Sequence, residues 1–138
     1  MSEQDARTIA LASATIGAGP AYLTKVHADH YDLTADEGVH GGGAGAAPSP
    51  FGLLLSGLGA CTAITLRMYA ERKGWPLRRT HVNLAYRVDG ERKYIDRILT
   101  LDGELDETQR SRLADIAERT PVTLAVKGGL EVVTKLHR

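Results

Sequence analysis

Residues 48–74, PSPFGLLLSGLGACTAITLRMYAERKG, decide how the rest of the chain is read. They hold the single cysteine, Cys61, and most of the longest stretch free of Asp, Glu, Lys and Arg, from Gly38 to Leu66. The spacing predicts one helix over Phe51 to Lys73. Ser49 suits the N-cap, because its hydroxyl can accept from a first-turn N–H. Pro50 suits the first helical position, where a missing N–H costs nothing. Gly74 and Pro76 form a stop signal. Leu54, Leu58, Cys61, Thr65 and Met68 recur at three- and four-residue steps and make one face. Leu53, Gly57, Ile64 and Leu66 add apolar surface on other sides. A helix apolar nearly all round belongs in a core. Its uncharged part reads as too short for a membrane span, which needs about 20 apolar residues. Arg67, Glu71, Arg72 and Lys73 return its far end to water.

Upstream of the helix, residues 7–17 alternate as a first strand and Gly17 to Pro20 supply turn chemistry. Residues 21–28 form a second strand, with Tyr22, Thr24 and Val26 facing one way, and the short gap predicts a hairpin. Tyr31 to Ala35 is a third short strand. Asp36 to Pro48 is a loop with five glycines. It lacks the lysine and Ser/Thr of a phosphate-binding loop and reads as a mobile connection.

Downstream, Arg79 to Val88 alternates, with Val82, Leu84, Tyr86 and Val88 on one side. Asp89-Gly90 marks a turn. Tyr94 to Glu104 is the return strand, with Ile95, Leu99 and Leu101 on one face, so the pair reads as a hairpin. Asp106 to Arg119 is an amphipathic helix capped by Asp106, its Leu113, Ile116 and Ala117 facing inward. Thr120-Pro121 breaks it and starts a short turn over Val122 to Val126. A last strand is expected over Leu130 to Leu136. Strands, a buried helix, strands, a helix and a strand make an α+β pattern without regular βαβ winding.

A chain of 138 residues fits one domain, 1–138, and can bury a sufficient core without disulfides. One cysteine excludes an internal disulfide and points to a reducing compartment. Seventeen basic residues balance seventeen acidic ones, which argues against nucleic-acid and anionic-membrane partners. The N-terminal stretch carries Glu3 and Asp5 and no basic n-region, so the cytoplasm is the expected location.

Cys61 is the candidate for chemistry, either as a nucleophilic or redox thiol or as a small residue that fills space. It lies about three turns into the helix, beyond the reach of the helix dipole, so activation would need a cation from elsewhere. His27, Asp29, His30 and His40 cluster in sequence. No cysteine pair or His-Glu-x-x-His helix accompanies them, and they read as solvated turn residues, with no metal or cofactor expected.

Pro48-Ser49-Pro50, Leu53-Leu54-Leu55, Leu58 through Ala63 and Tyr69 through Trp75 closely resemble the OsmC/Ohr family. Thr120-Pro121-Val122 and the Gly-Gly-strand ending add to the match, which covers about Ala14 to Leu136. The resemblance implies an α+β fold in which antiparallel sheets wrap around central helices in an intertwined homodimer, with sites at the subunit interface. It implies thiol chemistry: a thiolate attacks a peroxide, giving a sulfenic acid that a second cysteine resolves, while an arginine and a glutamate set the thiolate. Cys61 matches the peroxide-attacking position. Thr120 stands where the resolving cysteine should be. Phe51 and Gly52 stand where the glutamate should be, and no arginine lies between Arg7 and Arg67. Two functions follow. One is a one-cysteine reductase of organic hydroperoxides in oxidative-stress defence, with Cys61 catalytic and an external thiol as reductant. The other is a non-catalytic relative that binds a small apolar molecule at the dimer interface. Without a replacement cation from His27, His30, His40 or a partner-chain arginine, peroxide reduction should be slow.

Overall fold

The structure is a computed structural model and describes residues 6–137. The chain divides into two compact units, Met1–Leu53 and Leu54–Arg138.

The first unit is built on a three-stranded antiparallel sheet in the order β1 (Ala12–Thr15), β2 (Thr24–Ala28), β3 (Tyr31–Ala35). β2 and β3 meet in a tight hairpin in which Ala28 pairs with Tyr31. Asp29 takes a positive φ of 53° at the turn, a conformation that aspartate tolerates better than most residues. The first two strands are shorter than the alternation predicts, since only residues whose neighbours complete the ladder stay paired.

The glycine-rich segment after β3 is folded, not a mobile connection. Asp36 is buried and organises it. One carboxylate oxygen accepts from the Glu37 N–H at 2.8 Å and the other from the Ala46 N–H at 3.1 Å, while its own N–H donates to the Pro48 carbonyl at 3.0 Å. A short 3₁₀ turn, Val39–Gly41, closes between them. Glycine is required at 43, where a Cβ would lie 2.0 Å from the Glu37 carbonyl oxygen. The glycines therefore permit close backbone packing around one buried carboxylate.

Helix α1 (Pro50–Lys73) starts as its caps dictate: the Ser49 hydroxyl accepts from the Gly52 N–H at 3.0 Å. With 24 residues it is, by length and composition alone, long and apolar enough to cross a membrane, so the sequence argument that it is too short fails. What it does in this fold is bury one face. Leu58, Gly59, Thr62, Leu66 and Ala70 are the buried positions.

The second unit completes that packing. β4 (Leu77–Asp89) and β5 (Arg92–Gly103) form a long antiparallel hairpin. α2 (Glu107–Ala117) follows, with a complete capping box between Asp106 and Gln109. Leu66, Leu113 and Ala117 make the fully buried centre, and Tyr69, Trp75, Leu77, Leu99, Leu101, Leu105 and Ile116 pack around it. Full burial of a leucine contributes roughly 1.5–3 kcal/mol, so Leu66 and Leu113 are principal links between α1 and α2. Trp75 covers the edge of this core with its ring edge-on to Tyr69, centroids 5.6 Å apart. Gly59 lets α1 approach the hairpin, since a Cβ there would lie 2.8 Å from Leu84 Cδ1.

Two expectations fail downstream. The expected short turn after Thr120-Pro121 is an eight-residue helix, α3 (Pro121–Gly128), with Thr120 as its N-cap. The last strand, Leu130 to Leu136, does not form: the segment has no regular structure and Leu130, Val132, Val133 and Leu136 are all exposed. A strand needs a neighbouring edge for its backbone groups, and among the described residues no strand pairs with this segment.

Candidate functional site

The face of α1 that carries Cys61 differs from the one the spacing suggests. Of Leu54, Leu58, Cys61, Thr65 and Met68, only Leu58 is buried. Cys61 and Thr65 are half-buried, and Leu54 and Met68 are 45% and 58% exposed. The buried face is rotated toward Thr62 and Leu66, because the hairpin and α2 cover the helix from that side. Cys61 therefore sits on the border between a packed face and an uncovered apolar flank. Its sulfur lies 4.0 Å from the Thr65 hydroxyl, one turn on. Among the described residues no arginine, lysine or histidine makes a hydrogen bond to it.

The position next to Cys61 is more heavily engaged. Thr62 is fully buried, and its hydroxyl donates to the Leu58 carbonyl at 2.7 Å. It also accepts from Arg97 at 3.2 Å. Arg97 comes from the inner face of β5, between Ile95 and Leu99, and its side chain is only 12% exposed. The same guanidinium donates to Thr123 Oγ1 at 2.8 Å and to the Ala117 carbonyl at 2.9 Å. Glu118 lies 3.6 Å from it and is also paired with Lys127. The Lys127 hydrogen bond, ahead of the Arg97 charge, holds the Glu118 carboxyl below its ordinary range. A buried guanidinium is tolerated when its donors are satisfied and a carboxylate is near, and both conditions hold here.

Thr120 belongs to the same network. Thr120 is fully buried. Its hydroxyl accepts from the Thr123 N–H at 3.3 Å and lies 2.6 Å from the Thr123 hydroxyl. The residue is thus part of a hydroxyl–guanidinium lattice that ties α1, β5, α2 and α3 together. Arg97 was missed by sequence reasoning, although a signal existed: it is the one charged residue at an inward position of an otherwise apolar alternation, Ile95, Leu99, Leu101.

The histidines do not converge. His27 Nδ1 lies 2.9 Å from Asp32 Oδ1, its cross-strand partner in the hairpin. Among the described residues no group of three or more His, Cys, Asp or Glu side chains is placed to hold a metal ion.

Comparison with known proteins agrees with this architecture. No curated protein matches the chain in sequence. Among solved structures, an OsmC-like protein from Mycoplasma pneumoniae superposes with a TM-score of 0.73 at 18% identity, covering 88% of this chain and 89% of that one. An organic hydroperoxide resistance protein, OsmC, from Legionella pneumophila gives 0.68 at 20% identity, covering 90% and 93%. The organic hydroperoxide resistance protein OhrB of Bacillus subtilis gives 0.61 at 19% identity, covering 88% and 92%. At these identities the likeness carries the fold alone. The sequence profile of the OsmC-like proteins matches residues 41–135, from the glycine-rich loop through α3 and beyond, and the chain belongs to the OsmC-like family.

Proposed function

We propose that this single-domain protein is a one-cysteine thiol peroxidase that reduces organic hydroperoxides with an external thiol. The observation that carries the proposal is the placement of Cys61, half-buried on the border of an uncovered apolar flank, while residue 120 offers a hydroxyl and no second sulfur. The Cys61 thiolate would attack the distal peroxide oxygen. An S–O bond forms, the O–O bond breaks, and the leaving alkoxide takes a proton to become the alcohol. The sulfenic acid then condenses with an external thiol, releasing water and leaving a mixed disulfide. A second external thiol frees Cys61 and departs as the oxidised disulfide. Reaction is expected to be slow, because the hydrogen-bond partner of the sulfur among the described residues is a neutral hydroxyl and a reactive thiol needs a cation beside it.

We further propose that the working form is a homodimer in the cytoplasm. Leu54 and Met68 on the helix that carries Cys61, and the Leu130 to Leu136 segment, leave apolar surface exposed that a second copy would cover.

A second reading, a non-catalytic binder of a small apolar molecule at that interface, is favoured by one observation: among the described residues the side chain that meets the sulfur is an uncharged hydroxyl, Thr65. Consumption of cumene hydroperoxide with a dithiol reductant separates the two. Slow turnover that disappears in Cys61→Ser supports the peroxidase. No turnover in either protein, with a small molecule co-purifying, supports the binder. Intact mass after peroxide should show an added oxygen or a mixed disulfide at Cys61, and no loss of two hydrogens within one chain.

A further inference from the structure

We infer that the second unit holds a binding site for a small organic anion with an apolar body, in a cleft whose lining does not include Cys61. A cleft of about 390 Å³ lies between the C-terminal half of α1 and the start of β4, a size at the lower end for small-molecule sites. Its walls include Ile64 and Arg67 from the helix and Trp75, Leu77, Arg78 and Arg79 from the strand and its approach.

Two features make this more than a solvated groove. The first is the backbone. In a regular strand Arg78 and Arg79 would point to opposite faces. The β4–β5 register slips between Leu77 and Arg79, so that Arg78 is an extra, unpaired residue. Gly103 opposite makes the bulge possible: it takes a φ of 144°, and a Cβ there would lie 2.1 Å from the Pro76 carbonyl oxygen. A bulge of this kind re-aims side chains, and here both arginines line the same cleft.

The second is the charge balance. Arg67 is paired with Glu71 at 3.0 Å and Arg79 with Asp102 at 3.1 Å. Arg78 meets no carboxylate among the described residues. Three guanidinium groups thus face the cleft against two carboxylates, and the balance is one positive charge beside an apolar wall of Ile64, Leu77 and the Trp75 indole. Arginine's planar fork matches a carboxylate, and the wall takes hydrocarbon or an aromatic ring. A short-chain or aromatic carboxylate satisfies both halves. An uncharged molecule of the same shape would satisfy only one.

The test uses Trp75, the only tryptophan in the chain, as an internal reporter. Octanoate is titrated into the full-length protein while Trp75 emission is followed, with 1-octanol as the uncharged control and calorimetry as a second readout. The expected result is saturable octanoate binding that octanol does not reproduce, weakened about tenfold or more in both Arg78→Ala and Arg78→Glu. Both variants change an exposed side chain, and circular dichroism checks that they stay folded. Binding should be unchanged in Cys61→Ser, so this inference and the peroxidase proposal can fail separately. Equal response to octanol, unchanged affinity in the Arg78 variants, or no saturable response by either readout up to millimolar octanoate would each overturn it.

Discussion

The Arg97 guanidinium donates to Thr62 Oγ1 at 3.2 Å and so ties the middle of β5 to the turn of α1 that carries Cys61. The same group holds Thr123 and the Ala117 carbonyl, so one side chain joins four elements of the second unit. Thr120 is bonded into this lattice through the Thr123 hydroxyl.

Removing Arg97 should therefore cost stability. Arg97→Met keeps the apolar stem but removes the guanidinium's bonds to the Thr62 and Thr123 hydroxyls and the Ala117 carbonyl, and leaves Glu118 with Lys127 alone. The expected loss is about 2–4 kcal/mol. Urea unfolding at neutral pH measures it, and a change below about 0.5 kcal/mol would show that the lattice does not hold the elements together.

Gly59 gives a size-graded prediction. Alanine there gains about 1 kcal/mol of helix propensity and needs only the tip of Leu84 to move. Gly59→Ala should stay within about 1 kcal/mol of wild type. Gly59→Leu cannot be absorbed by one methyl shift and should lose about 1–3 kcal/mol. Thermal melts of both variants decide it, and equal melting points would remove the close-approach role of this glycine.

Glu118 sets the sign of one pH effect. Its carboxyl is held below the ordinary glutamate value by Lys127 first and Arg97 second. A depressed folded-state value means the contribution is fully present above the unfolded value and is lost as pH falls through the folded one. The side chain is more than half exposed, so the effect should be small. Stability should fall between about pH 5 and pH 3, and Glu118→Gln should flatten that part of the profile. An unchanged acid limb in the variant would contradict the pairing.

The proposed dimer is tested by sedimentation at micromolar concentration. Wild type should run as a dimer. Met68→Glu places a charge on the exposed flank two turns from Cys61 and should shift the species toward monomer. A well-folded wild-type monomer would defeat the dimer proposal.

What the sequence determined was local. Ser49-Pro50 and Gly74 bounded α1, Asp106 bounded α2, and the alternation on either side of Asp89-Gly90 fixed the β4–β5 hairpin, because caps, turns and period-two patterns are satisfied by residues close in the chain. The motif around Cys61 carried the family as well. Tertiary structure decided the rest. Which side of an all-round apolar helix is buried depends on what covers it, and here the hairpin and α2 selected Leu58, Thr62 and Leu66 and left Leu54 and Met68 outside. Leu130 to Leu136 has the composition of a strand but pairs with neither sheet among the described residues. Arg97 could be seen as a charge in an apolar row, yet its acceptors stand 20 to 35 residues away along the chain, and only folding brings them within hydrogen-bond reach.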